Sequence, residues 1–410
     1  MADRKTMDQE IRAQFPLVSR HPEIAYLDNS ATMQRMTCVL DAMRDFYEEA
    51  NANPLRGLYD LSVKATEQYE EARELVRAFI NAKSTEEIIF TRNATESLNL
   101  VGYSYAREFL KEGDEVLITV MEHHSNLLPW MKAAESTGAK LVYLECDEKG
   151  SLSEEAFRSL LTPRTRIVAM TQISNVLGVC NDVKKFARIA HENGSVFVCD
   201  GAQSVPHIPV DVRDLDVDFL AFSGHKMGGP MGIGVLYGKK KYLKKMPPFL
   251  YGGEMIEYVK RDSATWAELP HKFEAGTVNA AGAVGLGAAI RFYNQIGFDV
   301  ITERENHLSR YMMEKLTALP HVHILGSDDP DNHHGIYTFT VDGVHPHDIA
   351  AMLDEDRVDV RAGHHCAQPL LKFLGTMSTT RASIGFYNTE EEIDRLAESL
   401  SSVRERMGIE

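Results

Sequence analysis

Between residues 86 and 240, short apolar runs alternate with amphipathic stretches. The runs are EIIFT (87–91), EVLITV (115–120), KLVYLE (140–145), RIVAMTQI (166–173), SVFVCD (195–200), FLAFS (219–223) and GIGVLYG (232–238). A run without polar alternation has no face to give to water, so each predicts a strand covered on both sides. The stretches between them supply the cover. In VKKFARIAHENG (183–194), Phe186, Ile189 and Ala190 fall on one helical face. Strands and helices in this order predict an α/β fold with a mostly parallel seven-stranded sheet.

Near residue 290 the pattern changes. VGLGAAIRFYNQIG (284–297) predicts a long helix leading out of the sheet region, followed by a helix around 302–318. Strands are predicted at VHILG (322–326), GIYTFTV (335–341), VDVRAG (358–363) and TRASIGFYN (380–388), with helices over 347–356 and from about 389. The organisation expected is a large domain over 21–290, a smaller α+β domain over 291–410, and an N-terminal segment, 1–20, packing on the small domain.

In a parallel sheet, ligands gather beyond the carboxyl ends of the strands. Asp200, Lys226, His123 and Asn175 each lie just past the end of a predicted strand. An amine and a carboxylate so placed meet the needs of pyridoxal 5'-phosphate (PLP). The amine of Lys226 bonds the cofactor aldehyde, and the carboxylate of Asp200 keeps the pyridine nitrogen protonated.

Charge and cysteine content narrow the classes. The formal charge is −16, from 44 basic and 60 acidic residues, which opposes sequence-independent nucleic-acid binding. No apolar stretch reaches the ~20 residues that span a bilayer, and MADRKTMDQEIRAQF lacks the apolar core of a signal peptide. The five cysteines are scattered, without Cys-x-x-Cys spacing, which fits free thiols in a reducing compartment. A cytoplasmic protein without membrane or nucleic-acid partners is expected. The tandem His123-His124 is poorly spaced for one metal ion, and no metal is expected there.

The motifs DGAQ (200–203), SGHK (223–226) with glycines following, EAGT (274–277) and RAGHHCAQP (361–369) together resemble a class V PLP enzyme, and specifically the cysteine desulfurases of the SUF iron–sulfur cluster system. The resemblance runs from YLDNSAT (26–32) to FYNTEEEIDRL (386–396). It implies PLP fold-type I and a set of roles. Lys226 is the cofactor lysine and the base that moves the α-proton; Asp200 pairs with the pyridinium. Gln203 donates to the cofactor phenolate oxygen, and His123 stacks on its ring and shuttles protons near the substrate thiol. Thr95 and Glu96, at the start of a helix, with Ser223 and His225, surround the phosphate. Thr277 reaches that phosphate from the other subunit of a homodimer.

The substrate carboxylate falls to Arg381, helped by Asn175, with Arg361, Ala31 and Arg56 on the substrate side. Cys366 sets the reaction apart from transamination, because its loop places a nucleophile in electropositive surroundings. L-Cysteine reacts on the cofactor, the Cys366 thiolate takes the sulfur as a persulfide, and L-alanine leaves. Selenocysteine lyase is the nearest alternative, followed by an aminotransferase or β-lyase that does not use Cys366, and by a non-catalytic sulfur-transfer scaffold.

Two departures from the family pattern stand out. Leu55-Arg56-Gly57-Leu58-Tyr59 replaces a His-Arg-Gly-x-His stretch, retaining only the arginine and glycine. Ala94 stands where some relatives carry a hydroxyl, so more of the phosphate binding falls to Thr95. His345-Pro346-His347-Asp348 resembles the stretch in desulfurases served by a zinc-bearing, SufU-type sulfur acceptor. That likeness implies that His347 contacts the acceptor's zinc.

Overall fold

The structure, a computed structural model, describes residues 9–409. All seven predicted runs form strands of one sheet: β1 (Ile88–Thr91), β2 (Glu115–Thr119), β3 (Lys140–Leu144), β4 (Thr165–Thr171), β5 (Val196–Asp200), β6 (Phe219–Ser223) and β7 (Gly234–Gly238). Their spatial order is β1-β7-β6-β5-β4-β2-β3, and β7 alone runs antiparallel to its neighbours. Pleating divides the side chains between two cores. Leu117, Val168, Phe197, Leu220 and Phe222 pack on one face, and Val116, Ile118, Ala169, Val198 and Ala221 on the other. Burial on both faces is why these strands read as unbroken apolar runs.

Helices cover both faces. Helix α1 (Ala94–Val101) begins just after β1, and α2 (Val183–Glu192) buries Phe186, Ile189 and Ala190, as the spacing predicts. Helix α3 (Ala280–Ile296) starts four residues before its predicted start. After it, α4 (Phe298–Thr317) leads into an antiparallel sheet of β8 (Val322–Ile324), β9 (Ile336–Val341), β10 (Arg361–Gly363) and β11 (Thr379–Ser383), in the order β8-β9-β11-β10. Helices α5 (Pro346–Glu355) and α6 (Glu390–Arg406) pack on this layer. No helix among the described residues is long and apolar enough to cross a membrane.

Two boundaries differ from expectation. VDVRAG is not one strand: Val358–Asp359 pairs in parallel with Ala25–Tyr26, whereas β10 pairs with β11. Ala25 and Leu27 therefore lie in the small domain's core, so the expected large domain does not begin cleanly at 21. The N-terminal segment, as far as it is described, sits on the seam of the two domains. Phe15 meets Phe292, Phe386 and Tyr387, while Arg12 pairs with Glu392 at 2.9 Å. Residues 1–8 of that segment lie outside the described residues.

Candidate active site

Four strand ends and one small-domain loop enclose a cavity of about 600 Å³. Its lining includes Asp200 at the end of β5, Ser223 at the end of β6, Lys226 just beyond, and His123 in the loop after β2. Ala31, Thr95, Asn175, Gln203, His225, His347, Arg361, Cys366 and Arg381 also line it. Asp200 is the one carboxylate in a lining that holds Lys226, Arg361 and Arg381. The cavity is therefore built for an anionic ligand.

Its floor is the N-terminus of α1. Asn93 caps the helix by accepting from the Glu96 amide at 2.9 Å, and the Ala94 amide donates to Ser223 Oγ at 2.8 Å. Gly234 permits this approach, since a Cβ there would lie 2.5 Å from the Asn93 Cα. Thr95 and Ser125 hydroxyls meet at 2.6 Å. A helix N-terminus ringed by three hydroxyls suits a phosphate.

At the centre, burial pushes the Lys226 amine down to about 8, opposed by Asp200 and reinforced by Arg381. Burial raises the Asp200 carboxyl, against the Ala202 amide it accepts from at 2.9 Å and against Lys226. Burial with nearby Lys226 brings the His123 ring down to about 3. The ring is thus neutral, and since Nδ1 accepts from the Ser125 amide at 3.0 Å, its proton sits on Nε2. Gln203 donates to the Ser30 carbonyl at 2.8 Å and leaves Oε1 buried without a partner. Its second N–H remains the donor expected toward a phenolate oxygen.

The opposite wall belongs to the small domain. Arg381 donates to the Asn175 carbonyl at 2.8 Å, and its Nε is buried and unpaired. Burial lowers its guanidinium to about 10, still charged at neutral pH. Arg361 is held by Asp28, with Nη2 at 2.7 Å from Oδ2, and Arg381 lies 3.5 Å from the same carboxylate. Asp28, which orients both arginines, lies within YLDNSAT but carries no local sign of that role.

Cys366 is exposed at the mouth. Both it and His365 adopt left-handed backbone, with φ of 55° and 50°. Three contacts fix the loop: Asn175 Nδ2 donates to the His365 carbonyl at 2.8 Å, the His124 amide to the Cys366 carbonyl at 2.7 Å, and the Cys366 amide to His364 Nδ1 at 3.1 Å. Nothing in the sequence signals that His124 or His364 holds the cysteine loop, since that part depends on two distant loops meeting.

Three expected contacts fall outside this cavity. The Glu96 carboxylate folds back onto the Arg92 amide at 2.5 Å, completing the helix cap instead of facing a phosphate that would repel it. Arg56 is exposed and paired with Glu254 at 2.7 Å. Thr277 is exposed beside Arg92 and Glu96 in a second cavity of about 490 Å³. Within one chain it does not reach the α1 floor. His347 stands exposed on the rim, its amide capped by His345 Nδ1 at 3.3 Å. No group of three or more metal-ligating side chains converges among the described residues.

These residues fit PLP by the chemistry of the donor set: an anion-binding helix end, a buried amine, a buried carboxylate facing it, and an unpaired amide oxygen. Comparison with known proteins agrees. The aminotransferase class-V family model matches residues 25–396. A probable cysteine desulfurase of Halalkalibacterium halodurans is 49% identical over 402 residues, covering 97% of this chain and 98% of that protein. An apo cysteine desulfurase from Thermococcus onnurineus NA1 superposes with a TM-score of 0.93 at 41% identity, over 97% of this chain and 98% of that one. The S-sulfonic acid form of the cysteine desulfurase CsdA from Escherichia coli gives 0.90 at 39%, with the same coverage of 97% and 98%.

Proposed function

This chain belongs to the class-V aminotransferase family as a PLP-dependent cysteine desulfurase, and from that premise we propose how its residues divide the work. The observation that carries the reading is one cavity joining Lys226, Asp200 and Arg381 to the Cys366 loop. When bound, PLP supplies an electron sink that labilises the substrate's Cα–H and Cβ–S bonds.

Lys226 would hold the cofactor aldehyde, and its Nζ, once free, would move the substrate's α-proton. Its amine, lowered to about 8, is neutral in a usable fraction near neutral pH. Asp200 would pair with the ring nitrogen, and the α1 N-terminus, Thr95, Ser223 and His225 would hold the phosphate. Arg381 and Asn175 orient the substrate carboxylate. His123 keeps a proton on Nε2 for the substrate sulfur. Cys366 attacks that sulfur: an S–S bond forms as Cβ–S breaks, leaving a persulfide on the enzyme and, after reprotonation, alanine.

Three finer assignments belong to the same proposal. The chain works as a homodimer whose partner brings Thr277 to the phosphate; its exposure away from its own cavity supports this. The dimer serves iron–sulfur cluster assembly in the cytoplasm. Its acceptor is a zinc-bearing SufU-type protein met by His347, a reading supported by that residue's place on the rim near Cys366.

The test is alanine and sulfide release from L-cysteine by the PLP-loaded protein, beside selenide release from L-selenocysteine. Lys226→Ala is expected to abolish both, and undiminished turnover in it would overturn the assignment. Mixed dimers of Lys226→Ala and Thr277→Ala chains are expected to hold one intact site. A monomeric active enzyme contradicts that arrangement. His347→Ala is expected to keep basal desulfuration and lose stimulation by the zinc acceptor; full stimulation would exclude the contact.

A further inference from the structure

Behind the cavity wall lies a buried carboxyl that the reaction as described does not use. Glu122, next to His123, is almost wholly buried, and three groups meet its two oxygens. Thr119 Oγ1 at 2.6 Å and the Thr171 amide at 3.0 Å reach Oε1, and Asn126 Nδ2 at 2.5 Å reaches Oε2. The Thr171 amide is a donor by nature. Asn126 presents its NH₂ because its Oδ1 is taken by the Trp130 indole N–H at 3.0 Å, which can only donate. Thr119 Oγ1 accepts from the Met121 amide at 3.2 Å, and among the described residues Glu122 Oε1 is the acceptor its hydroxyl hydrogen meets.

A proton on Glu122 has no good destination in this cage. On Oε2 it would face the Asn126 NH₂. On Oε1 it would have to go to the Thr119 oxygen, stranding the hydroxyl's own hydrogen. Burial and the charge of Asp200 push the Glu122 carboxyl up to about 8, against the pull of the three donors. Geometry therefore decides the state: a donor-only cage is satisfied by an anion.

We propose that Glu122 is a positioning residue, a buried carboxylate whose three donors tie the end of β2 and the His123 loop to β4, and whose charge supports Asp200 in holding a protonated cofactor nitrogen. The cage spans β2 (Thr119), β4 (Thr171) and the turn that begins at His124 (Asn126). It thereby fixes the backbone on either side of His123, whose Nδ1 is held by Ser125. The charged or titratable groups around it are Asp200 and the buried Cys199 on β5, with Lys226 facing Asp200 across the cavity and His123 adjoining in the chain. This inference rests on the PLP reading above, yet its first test does not need turnover.

The experiment uses the full chain and PLP. Glu122→Gln keeps the shape but sets an amide NH₂ against that of Asn126, or its oxygen there and its NH₂ against the Thr171 amide. Titration of apo-protein with PLP, followed by visible absorbance, is expected to show affinity weakened by about tenfold or more. Asn126→Asp in the Glu122→Gln background returns an acceptor to both the introduced amide NH₂ and the Trp130 indole, and moves the charge by one side chain. That double variant is expected to recover most of the affinity and the wild-type pH titration of the bound-cofactor absorbance.

A protonated Glu122 would be mimicked well by glutamine, so an unchanged affinity and pH titration in Glu122→Gln would overturn the proposal. So would a protonated-carboxyl infrared band at neutral pH that disappears in Glu122→Gln. If Glu122→Gln fails to fold, the double variant decides: PLP affinity near that of the wild type is expected, and an affinity lost by about tenfold or more overturns the proposal. Absence of desulfuration in the wild-type protein, with its PLP affinity intact, would overturn the proposed reaction and leave this cage standing.

Discussion

The two ends of the cavity are made differently. At the cofactor end, Asp200, Ser223 and Lys226 stand at or just beyond strands buried on both faces, and α1 closes the floor through its Asn93 cap and the bond from the Ala94 amide to Ser223 on β6. At the sulfur end, Cys366 is exposed on a loop with two consecutive left-handed residues, held by hydrogen bonds from Asn175 and His124 of the other domain. The first end has its geometry dictated by the sheet. The second is held in an unfavourable backbone conformation by a few long-range bonds, which suits a nucleophile that must approach one partner and then turn to another. Rigidity where a cofactor is aligned and tethered strain where sulfur is carried is the division this fold provides.

The sharpest way to break the comparison is to cut each end separately. Lys226→Ala is expected to lose covalent cofactor attachment, seen as loss of the visible absorption band, and all turnover. Cys366→Ser is expected to keep that band and the spectral response to L-cysteine, while sulfur transfer collapses. Selenocysteine turnover should survive in part, because the Cβ–Se bond is weaker. Undiminished desulfuration in Cys366→Ser would merge the two ends into one.

A smaller effect sharpens the view of the tether. Asn175→Ala removes the donor to the His365 carbonyl. Losing one such bond is worth about 1 kcal/mol, so alkylation of Cys366 in the resting enzyme is expected to change by roughly fivefold, besides a rise in KM for L-cysteine. An unaltered alkylation rate would show that the contacts of His124 and His364 suffice to set the loop.

The smallest effect is a pH dependence at the cofactor end. With burial holding Lys226 near 8, the neutral amine fraction grows as pH rises through that value. Recombination of apo-protein with PLP is expected to quicken between about pH 7 and 8.5 and to level off above. A rate still climbing steeply toward pH 10 would place the amine at its ordinary value.

This contrast also explains what could be read from the sequence. The seven strands and the residues at their ends were legible, because double-sided burial writes unbroken apolar runs and topology sends their ends to one place. Motif resemblance reached Cys366, Arg381 and Gln203. It did not reach Asp28, which holds two arginines, or His124 and His364, which hold the cysteine loop, since each acts between segments far apart in the chain or where two loops meet. The Glu96 carboxylate turns back onto the Arg92 amide, a place its sequence does not reveal, because a carboxylate in a helix's first turn looks alike whether it faces a ligand or caps its own helix. Arg56 and Thr277 lie outside the cavity: Arg56 is taken up by Glu254, and Thr277 lines a separate cavity of its own chain, its proposed role resting on a second copy. VDVRAG reads as one strand because its alternation continues across the point where it changes partner.

The central claim is that sulfur leaves L-cysteine for Cys366 on the tethered loop. Intact-protein mass spectrometry after one turnover of the PLP-loaded enzyme, without an acceptor, tests it most directly. One added sulfur is expected, mapping to the peptide that contains Cys366, removable by a thiol reductant and missing in Cys366→Ser. Alanine formed in stoichiometric amount with no sulfur on Cys366, or with sulfur on Cys38, Cys146, Cys180 or Cys199 instead, would contradict it.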